Sequence, residues 1–214
     1  MQRILYLILA GCLLAAAPAA AQDTGYTRVI TQRADKIVAV LGIKDAARTT
    51  EVRDIIVDQY RSLNDVHTAR DNEVKAAKEQ LKEDKPALEA KIKAIEAERE
   101  KQLQPLHNAY LSKLSAKLSK EQVDQVKDGM TYGVLPLTYR VYTDMLPNLT
   151  EQQRTQIMAW LVEAREHAID AGSSEKKHWW FGKYKGRINN YLATAGIDMK
   201  QAEKDWKKRR EAAK

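Results

Sequence analysis

The sequence predicts an all-α protein: a long helical hairpin followed by a C-terminal multi-helix bundle, with antiparallel packing. Three observations predict it. Prolines and glycines are few, five and nine in 214 residues, and several glycines stand where helices should stop. Apolar residues step by three or four over long stretches, the spacing that lines one side of a helix. Few stretches alternate as strands should, and a short linker is the only place for extended residues.

The first helix spans Thr24 to Leu41, with Val29, Ala34, Ile37, Val38 and Leu41 on its apolar side and Gly42 as C-cap. A long helix follows from about Asp45. Its stripe runs Ile56, Tyr60, Leu63, His67, Arg70, Val74, Ala77 and Leu81. Lys85-Pro86 interrupts it, Pro86 suits the first position of a helix, and Leu88, Ile92, Ile95, Arg99, Gln102, Leu106 and Tyr110 resume the stripe. The expectation is a hairpin over about 45–118 turning near Asp84 to Pro86; the competing reading is one kinked, very long helix. Pro105 removes an internal hydrogen bond and bends the second arm. About half the residues from Asp71 to Lys101 are charged, with signs mixed. The apolar seam and the charge pairs at helical spacing favour solvated helix over disorder.

A small internal echo organises the region of about 119–214. Leu118-Ser119-Lys120-Glu121-Gln122 resembles Leu149-Thr150-Glu151-Gln152-Gln153. In each, a hydroxyl can cap free amides, a glutamine three residues on can reach back, and the leucine before it can staple the turn. Helices should therefore start at Ser119 and Thr150 and end near Gly129 and Gly172. Between them, Tyr132 to Leu137 reads as a buried linker, followed by a short helix through Tyr139, Tyr142 and Met145 that ends at Pro147. Asn148-Leu149-Thr150 matches a glycosylation sequon, but Thr150 reads better as a cap. Then come Glu175 to Phe181 with Ser174 as cap, a helix around Tyr184 to Thr194, and a last helix after Asp198.

The N-terminus carries an address. A basic start at Arg3, an apolar run from Ile4 to Ala17, and Ala19-Ala20-Ala21 before Gln22 make residues 1–21 a signal peptide, leaving 22–214 as a single helical domain. The run is shorter than the about 20 residues of a membrane span, so no transmembrane segment is expected in the mature chain. The expected location is periplasmic or secreted. Leu9-Ala10-Gly11-Cys12 also fits a lipobox, which would make an outer-membrane lipoprotein anchored through Cys12. Cys12 is the only cysteine, so cleavage after Ala21 leaves no disulfide or thiolate metal site.

Charge is lopsided. The chain is formally +7, and residues 175–214 hold twelve Lys or Arg against five Asp or Glu. Residues 22–174 therefore sum to −1. The densest feature is Lys176-Lys177-His178-Trp179-Trp180-Phe181-Gly182-Lys183-Tyr184-Lys185-Gly186-Arg187. Three consecutive aromatics cover roughly 200° of a helix, more than one buried stripe absorbs. Aromatic faces stack on sugar rings or bases, and the cations attract anionic groups. Trp179, Trp180, Tyr184, Arg187, Asn190 and Tyr139 are the candidate ligand-binding residues. The plainer reading buries Trp179 and Phe181, lays Trp180 over another helix and leaves the lysines in water. Lys207 to Arg210 reads as a solvated basic tail, and export argues against a nucleic-acid partner.

No catalytic residue is assigned. His67, His107, His167 and His178 form no metal-binding spacing, and no metal or cofactor is expected. Glu163, His167 and Asp170 share a helix face, an arrangement more typical of a surface charge network. Gly182 and Gly186 lack the strand that a nucleotide loop needs. The acidic pairs of the hairpin look solvated, with nothing to raise a carboxyl pKa.

Two resemblances follow from particular segments. Ala34 to Val38, Leu135 to Tyr139, the Thr150 helix start, Glu163 to Ala168 and Lys176 to Asn190 resemble an uncharacterised family of secreted bacterial proteins, domain of unknown function 3826, often labelled as sugar-binding. That resemblance spans essentially the mature chain and implies a noncatalytic carbohydrate-related role, with Trp179, Trp180, Tyr184 and Arg187 as proposed contacts. The leucine-hydroxyl-glutamine segments also resemble the L-T-x-x-Q motif of periplasmic helical stress chaperones and metal-responsive sensors, which implies an envelope protein client bound along the hairpin seam. Helix capping accounts for that motif without homology. The expected function is thus a carbohydrate-binding protein, with a periplasmic chaperone or envelope scaffold as the alternative and the oligomeric state open.

Overall fold

The computed structural model describes residues 18–212, with side chains from Gly25 onward. The calls on residues 1–17, including most of the export signal and Cys12, lie outside the described residues. Those described form eight α-helices and no strand: α1 Pro18–Val38, α2 Ala46–Gln80, α3 Lys85–Ser115, α4 Lys120–Met130, α5 Val134–Met145, α6 Glu151–Ile169, α7 Ser174–Thr194 and α8 Met199–Ala212. None of these helices is long and apolar enough to cross a membrane.

Local chemistry sets most boundaries. Asp45 and Asp84 cap α2 and α3 by accepting from the amides of Arg48 and Ala87. Ser119 with Gln122, and Thr150 with Gln153, form complete capping boxes at α4 and α6. Gly42 takes a left-handed φ of 67° after α1, a conformation glycine adopts without the Cβ clash. Leu81 to Asp84 separates α2 from α3, so the single kinked helix is not formed.

Two apolar cores result. The first joins Ile30, Ala34 and Ile37 of α1 to Val52 and Ile56 of α2, Tyr110 and Leu114 of α3, and Val126 and Met130 of α4. The second joins Leu135 and Tyr142 of α5 to Ile157 and Leu161 of α6 and Phe181, Ile188 and Leu192 of α7, with Met199 and Ala202 of α8 against it. Helices α2 and α3 pack on each other, as do α6 and α7. Arg48 donates to the Lys117 carbonyl, and Arg70 lies 3.6 Å from Glu96. Ion pairs between buried cations and partly exposed carboxylates tie the two cores together. Arg165 of α6 meets Asp128 of α4 at 2.8 Å and also binds Asp124, while Lys127 meets Glu166 at 2.9 Å.

Several expectations need correction. In α1, Ile30 faces the core while Val29 is 41% exposed, because the buried stripe steps 30, 34, 37 and Val29 sits about 100° round the helix from Ile30. In α3 the seam takes Leu103, and Gln102 is exposed. The stretch expected as a buried linker is mostly helix. Consecutive left-handed residues, Tyr132 (φ 60°) and Gly133 (φ 66°), end α4, and α5 starts at Val134. Pro136 fits its third position, where no intrahelical amide bond is required. Tyr132 and Leu137 are half exposed. Helix α7 runs unbroken through Gly182 and Gly186, since burial of Phe181, Tyr184, Ile188 and Leu192 outweighs the about 1 kcal/mol each glycine costs. Its cap is Ser173, accepting from the Lys176 amide, and not Ser174.

Candidate functional site

A polar-lined hollow opens between α2–α3 on one side and α6–α7 on the other. It encloses about 650 Å³, with His67, Arg70, Arg99 and His107 on the first side and Glu166, His167, Lys176, Trp179 and Trp180 on the second. The α6–α7 connection, Asp170 to Ser173, forms its floor. That loop sits directly on His67. A Cβ added at Gly172 would come within 2.6 Å of the His67 Cγ, so only glycine allows this approach.

Two histidines meet Asp170 in different ways. His67 Nε2 lies 2.7 Å from the Asp170 backbone carbonyl. A carbonyl only accepts, so Nε2 carries the proton and Nδ1 of the neutral ring is an acceptor. Burial pushes the His67 pKa down and outweighs that hydrogen bond. His107 Nδ1 lies 2.7 Å from Asp170 Oδ2, with Glu166 3.7 Å from its Nε2. The carboxylate hydrogen bond raises the His107 pKa against the opposing effect of burial. Behind the floor, Lys177 is buried and donates to the Ile169 carbonyl at 3.2 Å, and burial draws its pKa down to about 8.

Polar atoms without a protein partner gather around this hollow. They include the His67 Nδ1 and Asp170 Oδ1 acceptors and the Arg70 and Arg99 Nε donors. Buried groups of this kind are normally satisfied, and each costs about 1–3 kcal/mol when it is not. All four atoms are shielded from solvent, so it is the other polar atoms of these residues that border the hollow.

The aromatic wall has a defined order. Trp180 stacks on His167 with centroids 4.3 Å apart and planes 14° apart. Trp179 meets Trp180 edge-on at 4.9 Å, and Lys183 Nζ lies over both indoles, at 5.6 and 5.0 Å. Trp180 is thereby held between His167 and Lys183. Trp179, 53% exposed, is the ring left accessible at the rim.

Of the six candidate residues, Trp179 and Trp180 line the hollow. Tyr184 is buried in the second core, and Tyr139 packs half-buried against that core. Arg187 lies over the Trp160 ring at 4.6 Å and pairs with Glu163 at 3.5 Å. Asn190 is exposed on a later turn of α7. Tyr184, Arg187 and Asn190 lie about one to three turns farther along α7, beyond the hollow, and Tyr139 lies on α5. His67, Arg70, Arg99, His107, Glu166 and Asp170 were not among the candidates. A signal for three of them stood in the sequence, since His67, Arg70 and Arg99 are polar residues in otherwise apolar seams.

The chemistry these groups can perform is constrained by their partners. Glu166 is held by Lys127 and Asp170 by His107, so neither is a free carboxylate. Glu163, His167 and Asp170 each have separate partners, and no three His, Cys, Asp or Glu side chains among the described residues are placed to hold a metal ion. A second hollow, between α5 and α8, is more open. There Arg209 donates to the Asp144 and Met145 carbonyls and Arg210 covers Trp206 at 5.0 Å.

A family model described as "Protein of unknown function (DUF3826)" matches residues 27–212, and the chain belongs to that family. No curated protein matches it.

Proposed function

We propose, on the premise of that membership, that the chain is an exported, noncatalytic binding protein that takes a carbohydrate in the hollow between α2–α3 and α6–α7. One observation carries the reading: an accessible indole, Trp179, borders a hollow lined by the polar side chains His67, Arg70, Arg99 and Lys176. The indole offers a flat apolar face to the C–H side of a sugar ring, while the donors and acceptors match ring hydroxyls. Trp179 is the stacking residue and Trp180 its support. Tyr184, Arg187, Asn190 and Tyr139 fall outside the contact set in this proposal.

Helices α2 and α3 serve as an antiparallel hairpin forming one wall, and the bundle of α4 to α8 supplies the other. The scaffold reading draws less support, because Ile56, Leu63 and Ile95 of its seam are buried, leaving Leu88 and Ile92 half-buried as its apolar surface for a client. Export proceeds through residues 1–21 with cleavage after Ala21, placing the protein in the periplasm or outside the cell. The intact mass of the exported protein separates this from acylation at Cys12.

Screening the chain on an oligosaccharide array, followed by titration with the strongest ligand, tests the function. Trp179→Ala should weaken binding by about ten-fold or more, as expected for a central aromatic anchor. No response to any carbohydrate, or unchanged binding in Trp179→Ala, overturns the proposal.

A further inference from the structure

The cations around the tryptophans are not paired off like those elsewhere in the hollow. On the α2–α3 wall, Glu96 lies 3.6 Å from Arg70 and 2.8 Å from Arg99, and exposed Asp71 and Glu100 take the outer sides of the same arginines. On α7, Arg187 is paired with Glu163. Lys176 and Lys183 are exposed and have no carboxylate within ion-pairing distance among the described residues. They stand before and after the two indoles, and Lys176 lines the hollow beside them. Seven residues of helix separate them, a rise of about 10 Å, roughly the length of a disaccharide.

We infer that the carbohydrate is acidic, a uronate-containing oligosaccharide whose carboxylates meet Lys176 and Lys183 on either side of a ring stacked on Trp179. The inference rests on the carbohydrate reading and adds the charge class. A neutral sugar uses the indole and the floor but leaves both ammonium groups without a counter-charge. A uronate chain supplies carboxylates on successive rings and so complements both. Partly exposed charge contacts of this kind contribute modestly one by one, and the pair together gives about a ten-fold preference at low salt.

The test uses the full chain on an array holding neutral oligosaccharides, uronate oligosaccharides, the same uronates as methyl esters, and sulfated oligosaccharides. Titrations with tetragalacturonate and its methyl ester follow. The expected result is binding of uronates about ten-fold tighter than of their esters, weakening as salt rises. The double variant Lys176→Gln, Lys183→Gln should remove the preference, so that acid and ester bind it equally. Equal affinity for acid and ester, a response confined to neutral or to sulfated sugars, or a preference unchanged in the double variant overturns the acidic assignment and leaves the carbohydrate reading standing. No binding to any member of the array overturns both.

Discussion

The two walls of the hollow carry charge in opposite ways. The α2–α3 wall belongs to the most densely charged stretch of the chain, yet Arg70 and Arg99 are neutralised around Glu96. The α7 wall leaves Lys176 and Lys183 unpaired beside two indoles. The first uses charge to hold its own side chains in place; the second presents it outward. Only the charge left over after internal pairing is free to meet a partner, and composition alone does not reveal it.

The comparison depends on both walls staying in register, and its largest test removes the buried tie between the cores. Arg165→Met should destabilise the protein by about 2–3 kcal/mol in urea unfolding. That is below the range for a fully buried pair, because Asp124 and Asp128 keep some access to water. No loss would mean that the walls are aligned by other contacts. Next in size, Gly172→Ala drives a methyl group into the His67 ring and should cost about 1–3 kcal/mol. It should also shift the His67 imidazole resonances, whereas an unchanged spectrum would place the loop away from the ring.

A smaller effect concerns pH. The folded pKa of His107 lies above its unfolded value, so its stabilising contribution is complete below the unfolded value near 6.5 and is lost as pH rises through the raised folded value. The native melting temperature should therefore fall, relative to His107→Gln, as pH rises from 6 to about 8.5. Parallel curves for the two proteins would show that the Asp170 contact carries no net stability. The smallest effect sharpens the contrast itself. Arg70→Gln, on the paired wall, should cost about 1 kcal/mol or less and leave the preference for acid over ester unchanged. A loss of that preference comparable to that of the lysine variant would erase the distinction between the walls.

Much of the fold was legible because it rests on local rules. Ser119 with Gln122 and Thr150 with Gln153 specify helix starts through atoms three residues apart, and both capping boxes formed. The α2 stripe from Ile56 to Leu81 predicted the buried side, although α1 exposes Val29 and buries Ile30. The candidate site was less legible. Trp179 and Trp180 were found from composition, but Tyr184, Arg187 and Asn190 lie farther along α7 and Tyr139 on α5. His67, Arg70 and Arg99 were visible as polar interruptions in apolar seams, with no indication of what they faced.

By itself, then, the sequence determined the all-helical class, the capping boxes that start α4 and α6, and the basic, aromatic character of the segment from Lys176 to Arg187. Only the tertiary structure decided that this segment is one helix, that its tryptophans face residues of α2 and α3, and that Lys176 and Lys183 remain unpaired. The physical reason is range. Capping and helical periodicity act over three or four residues, whereas His107 reaches Asp170 across 63 positions, a separation that only packing of the two cores can close.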